Sequence, residues 1–234
     1  MRKKLKQFET RRLFYAEYLY KLVLRNELSS IFRTELQKDE KLSYARKQLD
    51  QLTDCYRNNL PLYKKAWRAD VLIDLSDYFD AIEIYNTLKN CNDYKLRIDT
   101  NSTLTLFSNN KKLLLGLAGN LKTINVDFWE PVEKHIELLN NTSKIIIVDT
   151  QPTLPLKIHF NSNRINQDFG KWIRANSDKC KIGKTALNNL EKYGYLTGLY
   201  MYVRDEKILN LVILLAGNSI RIVEKLVYVP IIDK

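Results

Sequence analysis

The chain has 234 residues, 45% of them hydrophobic and 28% charged, with a formal net charge of +11. That apolar content is enough to bury a core, which excludes a disordered chain. Seven glycines and five prolines exclude collagen-like or linker-like sequence. Three scattered cysteines and two histidines give neither a disulfide framework nor zinc-ligand spacing, so we expect a reducing, cytoplasmic compartment with no metal and no other cofactor.

Six of the first twelve residues are basic, and no apolar segment of signal-peptide type follows them. In residues 13–25 the residues Phe14, Ala16, Tyr18, Tyr20, Leu22 and Leu24 share one face if the segment is a strand, and its aromatic content favours that reading. Between Lys41 and Asn58, Leu42, Ala45, Leu49, Leu52 and Tyr56 recur at helical spacing. Alternation from Tyr63 to Leu75 predicts a strand. Ser76 then suits the N-cap of a helix carrying Asp77 and Asp80 in its first turn. Leu96 and Ile98, a polar turn, and Leu104 and Leu106 predict a hairpin. A helix over Lys111–Ala118 follows, closed by Gly119 and Asn120 at positive φ. Strands are expected at Ile124–Phe128 and Lys144–Val148, with a short helix opening at Pro131 between them.

Gln151 to Pro155 reads as a linker. Beyond it we expect a strand at Leu156–Phe160, helices near 167–176 and 184–193, and a strand at 196–203. An apolar helix at 206–215 and a last strand at 220–229 complete the chain. The apolar run Ile208–Ala216 is nine residues long, far below the about 20 that a membrane helix needs, so no membrane partner is expected. Two stretches resemble each other. Strand, polar N-cap, apolar helix, Ala-Gly-Asn and strand occur around Leu106–Val126 and again around Met201–Ile222. The expected fold is therefore α/β (α+β), with small mixed sheets built from repeated βαβ units and ferredoxin-like in character. Three modules are expected: a basic α/β module at 1–92, a hairpin–helix–strand module at 93–150, and a βαβ module at 151–234 after the linker.

Most catalytic motifs fail on their chemistry. Lys181-Ile-Gly-Lys-Thr185 lacks the upstream glycine of a phosphate-binding loop, which stands as Asp178. The repeated helix ends carry Asn120 and Asn218, where homing endonucleases of the LAGLIDADG type need metal-binding carboxylates. Asp127 with Glu130, Asp149, and Asp205 with Lys207 form carboxylate sets for a metal-dependent nuclease, although Asp205 also stands where a helix cap is wanted.

Charge offers a firmer lead. Residues 1–70 hold 17 Lys and Arg against 9 Asp and Glu, a balance of +8. We therefore expect a non-enzymatic protein whose partner is nucleic acid, accessory to replication or transcription. Contacts are expected from Lys3, Lys4, Lys6, Arg11, Arg12, Arg25 and Arg33, and from Lys64, Lys65, Trp67 and Arg68. Aromatic faces on a sheet stack unpaired bases. In that respect the chain resembles RNA-recognition domains in architecture alone, since their basic-Gly-aromatic signature is absent. The alternatives are an assembly protein with a basic arm, forming a homo-oligomer or larger particle such as a virion, and the nuclease.

Overall fold

The computed structural model describes residues 4–33, 38–65, 69–123, 125–196 and 199–230. The chain forms two compact units, Met1–Ile136 and Glu137–Lys234. The first contains β1 (Lys4–Thr10), β2 (Tyr20–Arg25), α1 (Lys38–Arg57), β3 (Tyr63–Lys65), β4 (Asp70–Leu72) and α2 (Leu75–Lys89). It continues with β5 (Lys95–Ile98), β6 (Thr103–Ser108), α3 (Lys111–Asn120) and β7 (Asn125–Pro131). Helix α4 (Glu133–Asn141) holds the boundary between the units. The second contains β8 (Ile145–Val148), β9 (Leu156–Phe160), β10 (Asn163–Arg164), α5 (Asp168–Ala175), β11 (Cys180–Ile182) and α6 (Lys184–Tyr193). It ends with β12 (Tyr195–Leu196), β13 (Tyr200–Val203), α7 (Glu206–Ala216) and β14 (Ile220–Tyr228). The module boundaries expected at 92/93 and 150/151 each fall inside a unit, because β5, β6 and β7 pair into the sheet of β1 and β2, and β8 into that of β9.

Each unit is a five-stranded mixed sheet, ordered β1-β7-β2-β6-β5 in the first and β8-β14-β9-β13-β11 in the second. When each sheet's own strands are numbered along the chain, both orders read 1-5-2-4-3. The first and fifth strands are parallel and every other pair is antiparallel. The helix between the fourth and fifth strands is α3 in one unit and α7 in the other. The Ala-Gly-Asn repeat in the sequence is thus the visible part of a repeated topology. In the first unit strands two to five with their helices follow a β-α-β-β-α-β succession, with the β3–β4 ribbon inserted in its first crossover, which is compatible with the ferredoxin-like character expected; in the second unit α6 intervenes between the third and fourth strands.

Alternation explains which face is buried. Leu22, Leu24, Leu104, Leu106, Val126 and Phe128 are buried on one side of the first sheet, where α3 packs and α2 packs on α3. In the second unit Leu156, Ile158, Phe160, Met201 and Val203 form one apolar cluster with Phe169, Ile173, Leu190 and Val212 from its helices. The burial of Cys180 in that cluster pushes its thiol up to about 11, so it behaves as a small apolar filler. Among the described residues no helix is long and apolar enough to cross a membrane.

Several elements differ from the sequence reading. Residues 4–10 are not an arm but an edge strand, β1, held parallel to β7. The strand expected over 13–25 begins only at Tyr20. Before it, Phe14 bridges Tyr18 across a turn whose central residues, Tyr15 and Ala16, have φ of 56° and 58°. The expected strand at 63–75 is two short strands, β3 and β4, paired antiparallel as a ribbon. Helix α2 is preceded by Asp74 rather than capped by Ser76. Gly119 and Asn120 remain helical, unlike Gly217 in the second unit, which takes φ 52°.

The turn at Tyr15 and Ala16 has Glu17 N–H donating to the Phe14 carbonyl at 3.1 Å. Two central residues at positive φ define the hairpin geometry that Asn-Gly normally supplies. Ala16→Gly is accordingly expected to stabilise the protein by roughly 0.5–1 kcal/mol, read as a higher midpoint in urea unfolding. A lower midpoint would show that the left-handed conformation at Ala16 is not strained.

Candidate nucleic-acid interface

The face of the first sheet opposite α3 is built by the other half of the alternation. Register places one residue from each strand in a single row: Phe8 beside Trp129, Trp129 beside Lys21, Lys21 beside Phe107, and Phe107 beside Lys95. At the usual spacing of paired strands the row is on the order of 20 Å long. A second row carries Lys6, Asp127, Val23, Thr105 and Arg97.

The first row is a connected set of rings and cations. Phe8 and Trp129 stack with centroids 4.7 Å apart and planes 19° from parallel. Lys21 Nζ lies 3.8 Å from the Trp129 centroid and 4.9 Å from that of Phe14. Phe107 is buried because the 14–18 turn folds over it, with Phe14 at 5.6 Å and Tyr15 edge-on at 5.0 Å. Lys95 Nζ sits 3.9 Å from the centre of the Tyr15 ring. The strained turn thus presents Tyr15, 48% exposed, at one side of the face, while Phe8, 37% exposed, lies at the other.

Electrostatics mark the middle of this face as cationic. Burial holds the Lys21 ammonium below the ordinary lysine range. Arg97 and Arg12 push it the same way, and Asp127 opposes them. Register places Arg97 in the row next to that of Lys21, on the same face. Arg97 is itself pulled up, first by its bond to Asp99 at 2.9 Å and further by Tyr15. At the carboxyl ends of β1 and β7 the charges are paired, Glu9 with Arg11 and Glu130 with Lys111. A cleft of about 590 Å³ there is lined by Phe8, Glu9, Glu130 and Glu133, with Lys111 bonded to Glu130.

The structure divides the cations named from the sequence. Lys6 is exposed on this face, and Arg12 is exposed near Lys21. Arg11 pairs with Glu9 at 3.2 Å and Arg25 with Glu27 at 3.0 Å. Arg33 donates to the Ile98 and Asp99 carbonyls, and Lys64 donates to the Glu27 carbonyl. Lys65 lies on the β3–β4 ribbon opposite Asp70. Lys3, Trp67 and Arg68, and the side chain of Lys4, lie outside the described residues. Sequence reasoning missed Phe8, Trp129, Lys21, Lys95 and Arg97. Among the described residues no group of three or more metal-ligating side chains converges. Asp205 accepts from Ile208 N–H at 3.0 Å as the cap of α7, and this bond and Arg204 lower its pKa.

The corresponding face of the second sheet has its own polar cluster. His159 Nε2 and Glu224 Oε2 are 2.6 Å apart on neighbouring strands. Burial draws His159 below its ordinary range, more than Glu224 pulls it back. Lys157 Nζ lies 4.3 Å from the Tyr200 centroid and 5.9 Å from that of Tyr202, and the two rings meet edge-on at 5.6 Å. Burial, then Tyr200 and Glu224, raises the Tyr202 phenol, so it carries no charge near neutral pH. Comparisons with protein families, with curated proteins and with solved structures find no match for this chain.

Proposed function

We propose that the protein binds single-stranded nucleic acid on the open face of its first sheet. The reading is carried by the row Phe8–Trp129–Lys21–Phe107–Lys95, three rings and two cations with one residue from each of the five strands. Unpaired bases stack on Phe8 and Tyr15, the two exposed rings, while Lys6, Lys21 and Lys95 meet the phosphates. A flat sheet face with rings at its sides suits splayed bases better than a duplex groove, which takes a helix or narrow ribbon.

The test is fluorescence anisotropy with a labelled single strand of about ten nucleotides at about 50 mM salt. Binding is expected, weakening as salt rises. Phe8→Ala is expected to lower affinity roughly 5- to 100-fold, the loss of one stacked base. Lys95→Ala should reduce the slope of log K against log salt by about 0.7. Absence of binding at that salt, or unchanged binding in both variants, overturns the reading.

One observation favours the assembly alternative. Helix α7 turns Leu211, Leu214 and Leu215 outward, with Leu214 80% exposed, where a lone surface helix would carry polar residues. Light scattering on the purified chain separates the two readings: a large particle free of nucleic acid supports assembly, and a monomer opposes it.

A further inference from the structure

The repeated topology allows the two open faces to be compared strand by strand. In the first sheet the third, fourth and second strands contribute Lys95, Phe107 and Lys21 to one row. In the second sheet the same three strands contribute Lys181, Tyr202 and Lys157, again directly paired. Lysine, aromatic, lysine therefore recurs at equivalent strands on equivalent faces. The second lysine bears on rings in both cases: Lys21 on Trp129 and Phe14, Lys157 on Tyr200 and Tyr202. The fifth strand differs, with Trp129 in one row and Glu224 in the other. His159 engages that carboxylate at 2.6 Å, which occupies part of its charge within the sheet. An exposed ring compensates: Tyr200, 48% exposed, stands beside the row as Tyr15 does in the first unit.

From this correspondence we infer that the open face of the second sheet is a second single-strand binding site, with Tyr200 as its stacking ring and Lys157 and Lys181 as its phosphate contacts. The inference rests on the reading given for the first face, since the two share one chemistry. Each site would hold its own short strand, so the number of strands bound per chain is the quantity that reports it.

Titration calorimetry of the full chain with a single strand of about six nucleotides, about the length that one sheet face accommodates, measures that number. Two strands per chain are expected. Tyr200→Ala should reduce the count to one, while Tyr200→Phe, which keeps the ring, should retain two. Phe8→Ala with Lys21→Ala should also leave one, now bound at the second face. Adding Tyr200→Ala to that pair should abolish binding. One strand per chain in the unmodified protein that is lost with the Phe8 and Lys21 substitutions, or two retained in Tyr200→Ala, overturns this inference and leaves the first site standing. A single strand lost with Tyr200→Ala but not with the Phe8 and Lys21 substitutions sinks the first site instead. Tyr200 is exposed, so its replacement leaves the core untouched, and an unchanged circular dichroism spectrum verifies that.

Discussion

Asp80→Ala is expected to destabilise the first unit by roughly 3–5 kcal/mol, a large part of the 5–15 kcal/mol that typically holds a domain folded. Asp80 is only 1% exposed on α2. One carboxylate oxygen accepts from Lys122 N–H and the other from Thr123 N–H at 2.8 Å, so a single side chain satisfies two backbone donors in the connection from α3 to β7. One turn further along α2, Glu83 accepts from the Asn120 side chain at 2.7 Å. Alanine would strip both part-buried donors of their acceptor, each a cost of about 1–3 kcal/mol, and would open a void where the buried carboxylate stood. Asp80→Asn separates the contributions. It keeps one acceptor and turns a donor toward the other N–H, so its loss should fall between alanine and the native protein. Urea unfolding followed by tryptophan fluorescence measures both variants. An alanine variant within 1 kcal/mol of the native protein would mean that this connection draws its order from elsewhere. The consequence reaches the interface, because β7 follows that connection and carries Trp129 and Asp127 into the open face.

The same strand shows what the amino-acid sequence can and cannot disclose. The pattern Ile124, Val126, Phe128 marks β7 as a strand, and the neighbouring Ala-Gly-Asn marks the helix before it. Both signals are local, and the structure contains both elements. That Trp129 stands between Phe8 and Lys21 is not local information. It depends on β7 lying between β1 and β2, an order fixed by packing among strands far apart in the chain. Strand β1 was illegible for a different reason. It is an edge strand whose Leu5 and Phe8 remain exposed, so its sequence lacks the apolar alternation that burial would impose. The turn at Tyr15 and Ala16 was hidden because neither residue is one that positive φ favours. Continuous apolar alternation through it read as one strand. Charge was read at the right place but too coarsely. Composition locates an excess of cations in the first 70 residues. It does not reveal that Arg11 and Arg25 are bound by adjacent glutamates, or that Lys95 and Arg97, outside that segment, join Lys21 on one surface.

The two units obtain the same strand order by different local means, and the difference explains where each is vulnerable. In the first, a buried carboxylate captures the end of α3. In the second, glycines at positive φ turn the chain, Gly217 after α7 and Gly194 after α6. Compaction around Gly194 leaves no room for a side chain, whereas a carboxylate clamp tolerates neighbours but requires its charge to be met by donors.

Gly194→Ala follows from that contrast and is expected to cost the second unit roughly 2–4 kcal/mol. Gly194 closes α6 at φ 61°, its N–H donating to the Leu190 carbonyl and its carbonyl accepting from Ile165 N–H, each at 2.8 Å. A Cβ at this position would lie 2.6 Å from the Ile165 carbonyl oxygen, a backbone atom that no rotamer change can move. The methyl group therefore forces a choice between two losses. Either the α6 cap opens, or β10 shifts away from β12, breaking the pairing of Arg164 with Tyr195. Gly116→Ala is the matched control: it sits within α3 with nothing within 4 Å of its added Cβ, so it should gain up to about 1 kcal/mol instead. Amide hydrogen exchange locates the effect. Amides of β9 and β13 should exchange faster in Gly194→Ala, while those of β2 and β6 keep their protection. Faster exchange throughout both sheets would contradict the separation into two units, and no change in either would show that the Ile165 carbonyl yields to the methyl group at little cost.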